Sequence, residues 1–188
     1  MQSIAKTSRR YLVTLSLGLV PAVSALAAPS FTVSSSNAFV GETIQVNVLA
    51  QSVSDLYDYQ FDLNYDPTKF AFVSDGEGTF LSSTGATFFF GGTANPGSVQ
   101  FVFDTLLGPG PGASGGGVLV QLNFTAIGKG VSTFSLANVI AQDSPGNLID
   151  VGLGSAQSTV PEPGTLSLLA LACAGCVVSA RRKGSMSG

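Results

Sequence analysis

From Tyr57 to Asp66 the chain alternates strictly, with Tyr57, Tyr59, Phe61, Leu63 and Tyr65 at odd positions and Asp58, Gln60, Asp62, Asn64 and Asp66 at even ones. A period of two sends successive side chains to opposite faces of an extended strand, a pattern that a helix with a period of 3.6 would scatter around its circumference. The odd set is therefore expected in a core and the even set in solvent, on a strand expected at Leu56–Tyr65. Shorter runs with the same period occur at Phe31–Ser35, Thr43–Ala50, Phe70–Ser74, Thr87–Phe90, Ser98–Asp104, Val118–Ile127, Val131–Leu136 and Asn147–Val151, with Leu136–Ala141 as a further candidate. Gly, Pro, Asn and Asp clusters separate them, and no stretch sustains a helical stripe. Many short strands at this spacing predict one all-β sandwich, its inward alternate residues forming one core.

The breaks have local causes. Ser144-Pro145-Gly146-Asn147 suits a type II turn, with proline at the first central position and glycine at the second. The glycine-rich stretch from Gly108 to Gly117 reads as a flexible surface loop inside the domain, because strand patterns continue on both sides.

Charge is distributed unevenly. Six of the eight basic residues lie at the ends, and from Pro29 to Val160 ten acids stand against only Lys69 and Lys129, a formal charge of −8. Nucleic acid is excluded as a partner, since phosphate binding needs a basic patch that releases counterions.

The two ends read as targeting segments. Basic residues through Arg10, an apolar run from Tyr11 to Val20 and the small-residue stretch Ala22–Ala28 form a secretory signal, residues 1–27, with cleavage expected after Ala25-Leu26-Ala27 and before Ala28. The domain proper then spans 28–159. Residues 160–188 contain Pro161-Glu162-Pro163, an apolar run over 165–180 and the basic cluster Arg181, Arg182 and Lys183. Sixteen residues make a helix of about 24 Å, short of a hydrocarbon core of about 30 Å but able to cross with snorkelling arginines. The basic cluster stops the helix in the membrane and leaves the domain outside. These three parts in this order resemble the PEP-CTERM sorting signal of Gram-negative bacteria. The resemblance implies recognition of Pro161, Glu162 and Pro163 by an exosortase-type processing protease, in cells that make exopolysaccharide. Cys173 and Cys176 have C-x-x-C spacing but lie within the apolar run, where neither a reactive thiolate nor further metal ligands are available. The exported domain has no cysteine and must hold together by packing.

A second resemblance covers nearly the whole domain. Gly41-Glu42-Thr43, then Phe61-Asp62-Leu63-Asn64-Tyr65-Asp66-Pro67, then Gly117–Phe124 and Asn138–Asn147, are similar in order and spacing to a cohesin-type domain. It implies a nine-stranded antiparallel jelly-roll sandwich, related to some carbohydrate-binding modules. It also implies a binding role toward a dockerin-like protein or a polysaccharide, with Asp58 and Gln60 at the positions that cohesins use for their partners. On residue pattern alone the whole outward strip Asp58, Gln60, Asp62 and Asn64 is the candidate surface.

Catalytic chemistry has little to work with. Histidine is absent, which removes a Ser-His-Asp triad, an imidazole base and a His-bearing zinc site. The ten acids offer carboxylate pairs for a glycosidase, but none stands out and tryptophan is absent. Asp75-Gly76-Glu77, and Asp143 with Asp150, offer oxygen ligands of the kind calcium accepts, without the spaced loop of a dedicated site. No cofactor is expected, although a structural calcium is compatible with these acids. The expectation is a non-catalytic exported module at the cell surface or in an extracellular matrix. A purely structural matrix component and, last, a hydrolase of polysaccharide are the alternatives.

Overall fold

The structure, a computed structural model, describes residues 27–162 and Gly164. The signal segment before Ala27, Pro163, the apolar run with its two cysteines, and the cluster Arg181, Arg182 and Lys183 lie outside the described residues. Among those described, no helix is long and apolar enough to cross a membrane.

Ten strands and one helical turn make up the fold: β1 Ser30–Ser34, β2 Thr43–Asn64, β3 Phe70–Glu77, α1 Thr79–Ser82, β4 Thr87–Phe90, β5 Thr93–Asn95, β6 Ser98–Leu106, β7 Ala113–Ala126, β8 Gly130–Asp143, β9 Gly152–Leu153 and β10 Ala156–Val160. Their pairing gives two layers. In the first, β9, β1, the first half of β2, β7 and β3 lie side by side; in the second, β10, β8, the second half of β2 and β6 do so, with β4 and β5 on the far edge of β6. This is the expected all-β sandwich. One detail departs from purely antiparallel pairing: β9 runs parallel to β1, Ser30 opposite Gly152 and Phe31 opposite Leu153.

β2 belongs to both layers because it turns a corner. Residues 43–56 pair with β7, and residues from Asp58 to Asn64 pair with β6 and β8. Between these halves Ser52 and Asp55 have left-handed backbone, φ 52° and 58°, and the register against β7 slips on both sides of Val53. Bulges of this kind bend a strand sharply. The Asp55 carboxylate secures the corner by accepting the Gly112 N–H and, at 2.7 Å, the Ser144 hydroxyl. The two strands expected at Thr43–Ala50 and Leu56–Tyr65 are thus the arms of this bent strand.

The core lies between the layers. Phe31, Val46, Tyr59, Phe61, Leu63, Phe70, Leu122, Phe124 and Phe134 are fully buried. At one end Phe124 and Phe134 pack with ring centroids 5.1 Å apart, and Phe70 sits 5.3 Å from Phe134. Aromatic pairs at these distances add to the free energy of burial. Helix α1 closes the core at β7 with buried Phe80 and Leu81. It sits so close that a Cβ on Gly78 would meet the Val118 carbonyl oxygen at 2.1 Å.

Three local expectations change. The stretch from Gly108 to Gly117 is not wholly loop, since β7 begins at Ala113 and pairs with the corner of β2. The turn before Asn147 closes one residue earlier than expected, the Gly146 N–H donating to Asp143 O, with Gly146 at φ 87°. Asn147–Val151 is not a strand; the last strands are β9 and β10, whose Gly, Ser and Thr residues lack a hydrophobic alternation.

The final segment closes one side of the sandwich. β10 pairs with β8, Val160 opposite Gly130, while the Thr159 N–H donates to Asn37 and the Ala38 N–H to Thr159 O. Val160 is buried, and Pro161-Glu162 follows directly, exposed.

Candidate functional site

The second layer turns a mixed polar and aromatic face outward. Along β2, Tyr59, Phe61 and Leu63 are buried, while Asp58, Gln60 and Asp62 are half-buried and Asn64 is exposed on the opposite side. The alternation therefore places all four expected residues on one face. Their side chains are used differently.

Asp62 is committed internally. Its carboxylate accepts the Phe101 N–H at 2.7 Å from β6 and the Asn138 side-chain amide at 2.6 Å from β8. Phe101 and Asn138 both have left-handed backbone, φ 58° and 50°, and the register of β2 slips against β6 between Phe61 and Leu63 and against β8 between Gln60 and Asp62. Asp62 thus pins a bulge in each neighbouring strand. The extra residue in β6 is Phe101, which this bulge brings to the outer face, half exposed.

Asp58 lies opposite Thr105 and Gln142. With its amide nitrogen turned toward Asp58, Gln142 donates to both carboxylate oxygens, at 3.1 and 3.3 Å. Partial burial raises the Asp58 carboxyl above its usual value. Gln60 sits between Phe103 on one neighbour and Ile140 on the other. It lines a groove of about 300 Å³ with Phe88, Phe90, Phe101 and Phe103. Phe88, Phe90 and Phe101 are 57%, 42% and 51% exposed, more than phenylalanine needs to be on a solvated sheet. Phe90 meets Phe101 edge to face with centroids 6.1 Å apart, and Phe101 lies nearly parallel to Phe103 at 6.3 Å.

This aromatic half of the face went unrecognised in the sequence. The signal was the run Phe88-Phe89-Phe90 with Phe101 and Phe103: apolar residues at every position of a short strand cannot all face one core. What the pattern lacked was the bulge, since unbroken alternation counted from buried Val99 would turn Phe101 and Phe103 inward and Val102 and Asp104 outward.

Behind this face Asp104, almost completely buried, points inward, and its Oδ2 lies 3.5 Å from the Tyr59 hydroxyl, which donates to Leu119 O at 2.9 Å. Burial, and then the charge of Glu77, push the Asp104 carboxyl up to about 7. Its side chain lies on the face of β6 opposite the groove-lining Phe103. Of the acids considered for calcium, Glu77 accepts the Thr87 hydroxyl and Asp143 accepts both the backbone and side-chain N–H groups of Asn147. Among the described residues no three metal-ligating side chains converge.

The chain matches the family model of the cohesin domain over residues 29–152 and that of the PEP-CTERM protein-sorting motif over 159–183. No curated protein matches it by sequence. Its fold is similar to that of a non-cellulosomal cohesin from the archaeon Archaeoglobus fulgidus, 17% identical, with a TM-score of 0.60 over 72% of this chain and 93% of that one. It is similar also to the cohesin module of a family 33 glycoside hydrolase from Clostridium perfringens, 16% identical, TM-score 0.60 over 72% and 98%. A third likeness is to the sixth cohesin of Acetivibrio cellulolyticus scaffoldin B, solved in complex with a Cel5 dockerin, 17% identical, TM-score 0.58 over 72% and 100%.

Proposed function

The chain belongs to the cohesin family, and we propose that it is a non-catalytic, exported module that captures a protein partner on the outer face of its second layer. The observation that carries this reading is the cluster of exposed Phe88, Phe90 and Phe101 with half-buried Phe103 around Gln60 on the outer face of the sheet. An aromatic centre rimmed by polar groups is the anatomy of a protein-binding patch. Gln60 supplies an amide within the groove and Asp58, two positions before it on the same face of β2, an acceptor beside it, while Asp62 holds the strand geometry that presents Phe101. A dockerin-like segment is the partner class that family membership suggests; capture of polysaccharide by the same aromatic groove is the alternative outcome.

The test is capture from the exported fraction of the producing cell by immobilised protein. Phe101→Ala with Phe88→Ala should reduce saturable capture at least tenfold, and Asp58→Ala with Gln60→Ala should reduce it without moving stability by more than about 0.5 kcal/mol. Undiminished capture by both double variants would remove this face from the function. Capture that disappears after glycosidase treatment of the fraction, but survives protease, would favour the glycan. Absence of any saturable ligand would leave a structural matrix role.

The sorting motif adds delivery. In this reading the apolar run 165–180 holds the precursor in the membrane, Arg181, Arg182 and Lys183 stop its transfer, and an exosortase-type protease recognises Pro161-Glu162-Pro163. Pro161 and Glu162 emerge exposed from the end of β10, open to such an enzyme. Glu162→Ala should leave an uncleaved, membrane-bound precursor on immunoblots of cell fractions; identical processing of both forms would refute recognition through Glu162.

A further inference from the structure

The end of the sandwich from which the tail leaves differs from the rest of its surface. Three loops and the terminus of β10 are hydrogen-bonded together there. The Gly41 N–H donates to Ala126 O, the Ile127 and Gly128 N–H groups donate to Lys69 O, and the Ala38 N–H donates to Thr159 O. These ties bring the stretches 38–42, 66–69 and 127–131 around Val160. Phe39, Val40, Ile127 and Val131 are each about half exposed at this pole. Both lysines of the domain, Lys69 and Lys129, are here as well, on two of the same loops. With Glu42 and Asp66 the pole is formally neutral, whereas the other eight acids, spread over the remaining surface and interior, have no cation among them. The opposite pole also exposes Leu107 and Leu148, but beside Asp55, Asp143 and Asp150.

Distance limits what this pole can face. Only four residues, 161–164, separate buried Val160 from the first residue of the apolar run, a reach of at most about 18 Å even when fully extended. If Thr165 is at the bilayer surface, the pole is within one short tether of the headgroups. Apolar side chains beside lysines are what an anionic lipid interface attracts, and the acidic body of the domain is what it repels.

We propose that this pole, with Phe39, Val40, Ile127 and Val131 flanked by Lys69 and Lys129, is a seating surface for an anionic phospholipid bilayer. Seated this way, the precursor stands with its strands pointing away from the membrane, and the outer face of the second layer stays clear of it. The proposal rests on reading residues 165–180 as a membrane segment.

The full-length precursor, reconstituted in vesicles of phosphatidylethanolamine and phosphatidylglycerol, tests both. The native chain has no tryptophan, so Ile127→Trp or Val40→Trp provides a single reporter at this pole and Leu148→Trp one at the other. Brominated lipids should quench the first two reporters at least twofold and leave the third unchanged, and Lys69→Glu with Lys129→Glu should abolish the difference. Co-flotation without quenching at Ile127→Trp and Val40→Trp, or equal quenching at both poles, overturns the seating surface while leaving the membrane segment intact. A precursor that does not float with the vesicles overturns the membrane segment and the seating surface together.

Discussion

At the scale of single residues, two aspartates on the second layer show how environment assigns opposite tasks to one side chain. Asp104 is buried beside a phenol with one proton to give, and the closer acceptor, Leu119 O, takes it. The Tyr59 oxygen can then accept from a protonated Asp104, which is the form that burial favours. Because its carboxyl titrates at about 7 in the folded chain and 3.8 otherwise, the native state keeps a proton that the unfolded chain sheds. Its contribution is complete below about pH 4 and is lost as pH rises toward and through 7. Thermal unfolding should therefore show a melting temperature that falls between pH 5 and pH 8, and Asp104→Asn should flatten that slope. Below about pH 4 the trend reverses, because hydrogen bonds from Ser144 and Thr68 hold the Asp55 and Asp66 carboxyls below their usual value and acid removes those bonds. Asp62, by contrast, works on the outer face as a hydrogen-bond acceptor for two neighbouring strands. Its replacement by Ala should cost about 1–3 kcal/mol in chemical denaturation, since it leaves two strand bulges without their acceptor. It should also weaken partner capture although no phenylalanine has changed, whereas Asn64→Ala should do neither.

At the scale of elements, legibility followed the regularity of the hydrophobic pattern. The arm of β2 from Tyr57 to Asn64 was readable because its four-fold alternation is the register of a strand buried on one side. β10 was not, because its Gln, Ser and Thr residues are held by backbone pairing to β8 and by side-chain contacts to the loop after β1 rather than by an apolar face. The corner of β2 escaped for a different reason: Ser52 and Asp55 are ordinary polar residues in sequence, and the partners that make Asp55 structural lie some sixty and ninety positions away. Asp55→Ala should speed amide exchange at Gly112 and Ser144 about tenfold or more, without changing exchange at Val46 in the paired arm. The candidate site divides the same way. Its polar row followed from alternation, while the exposure of Phe101 depended on a bulge that no local pattern records.

At the scale of the whole molecule, one core joins both layers through a single bent strand, so the domain should melt in one cooperative transition, unaffected by reductant because no cysteine lies between Pro29 and Val160. Phe134→Ala should lower that stability by about 3–5 kcal/mol, removing the ring that touches Tyr65, Phe70 and Phe124 together. The direction in which β10 leaves the fold also has a mechanical meaning. Backbone hydrogen bonds in a sheet lie across the strands, and the chain departs at Val160 along the strand axis. A pull on the tail therefore loads the five register pairs from Ala156 to Val160 in shear, all at once, rather than peeling them apart in sequence. A module held by its tail on one side and by a captured partner on the other would resist drag as a riveted lap joint does, with its last strand as the overlap.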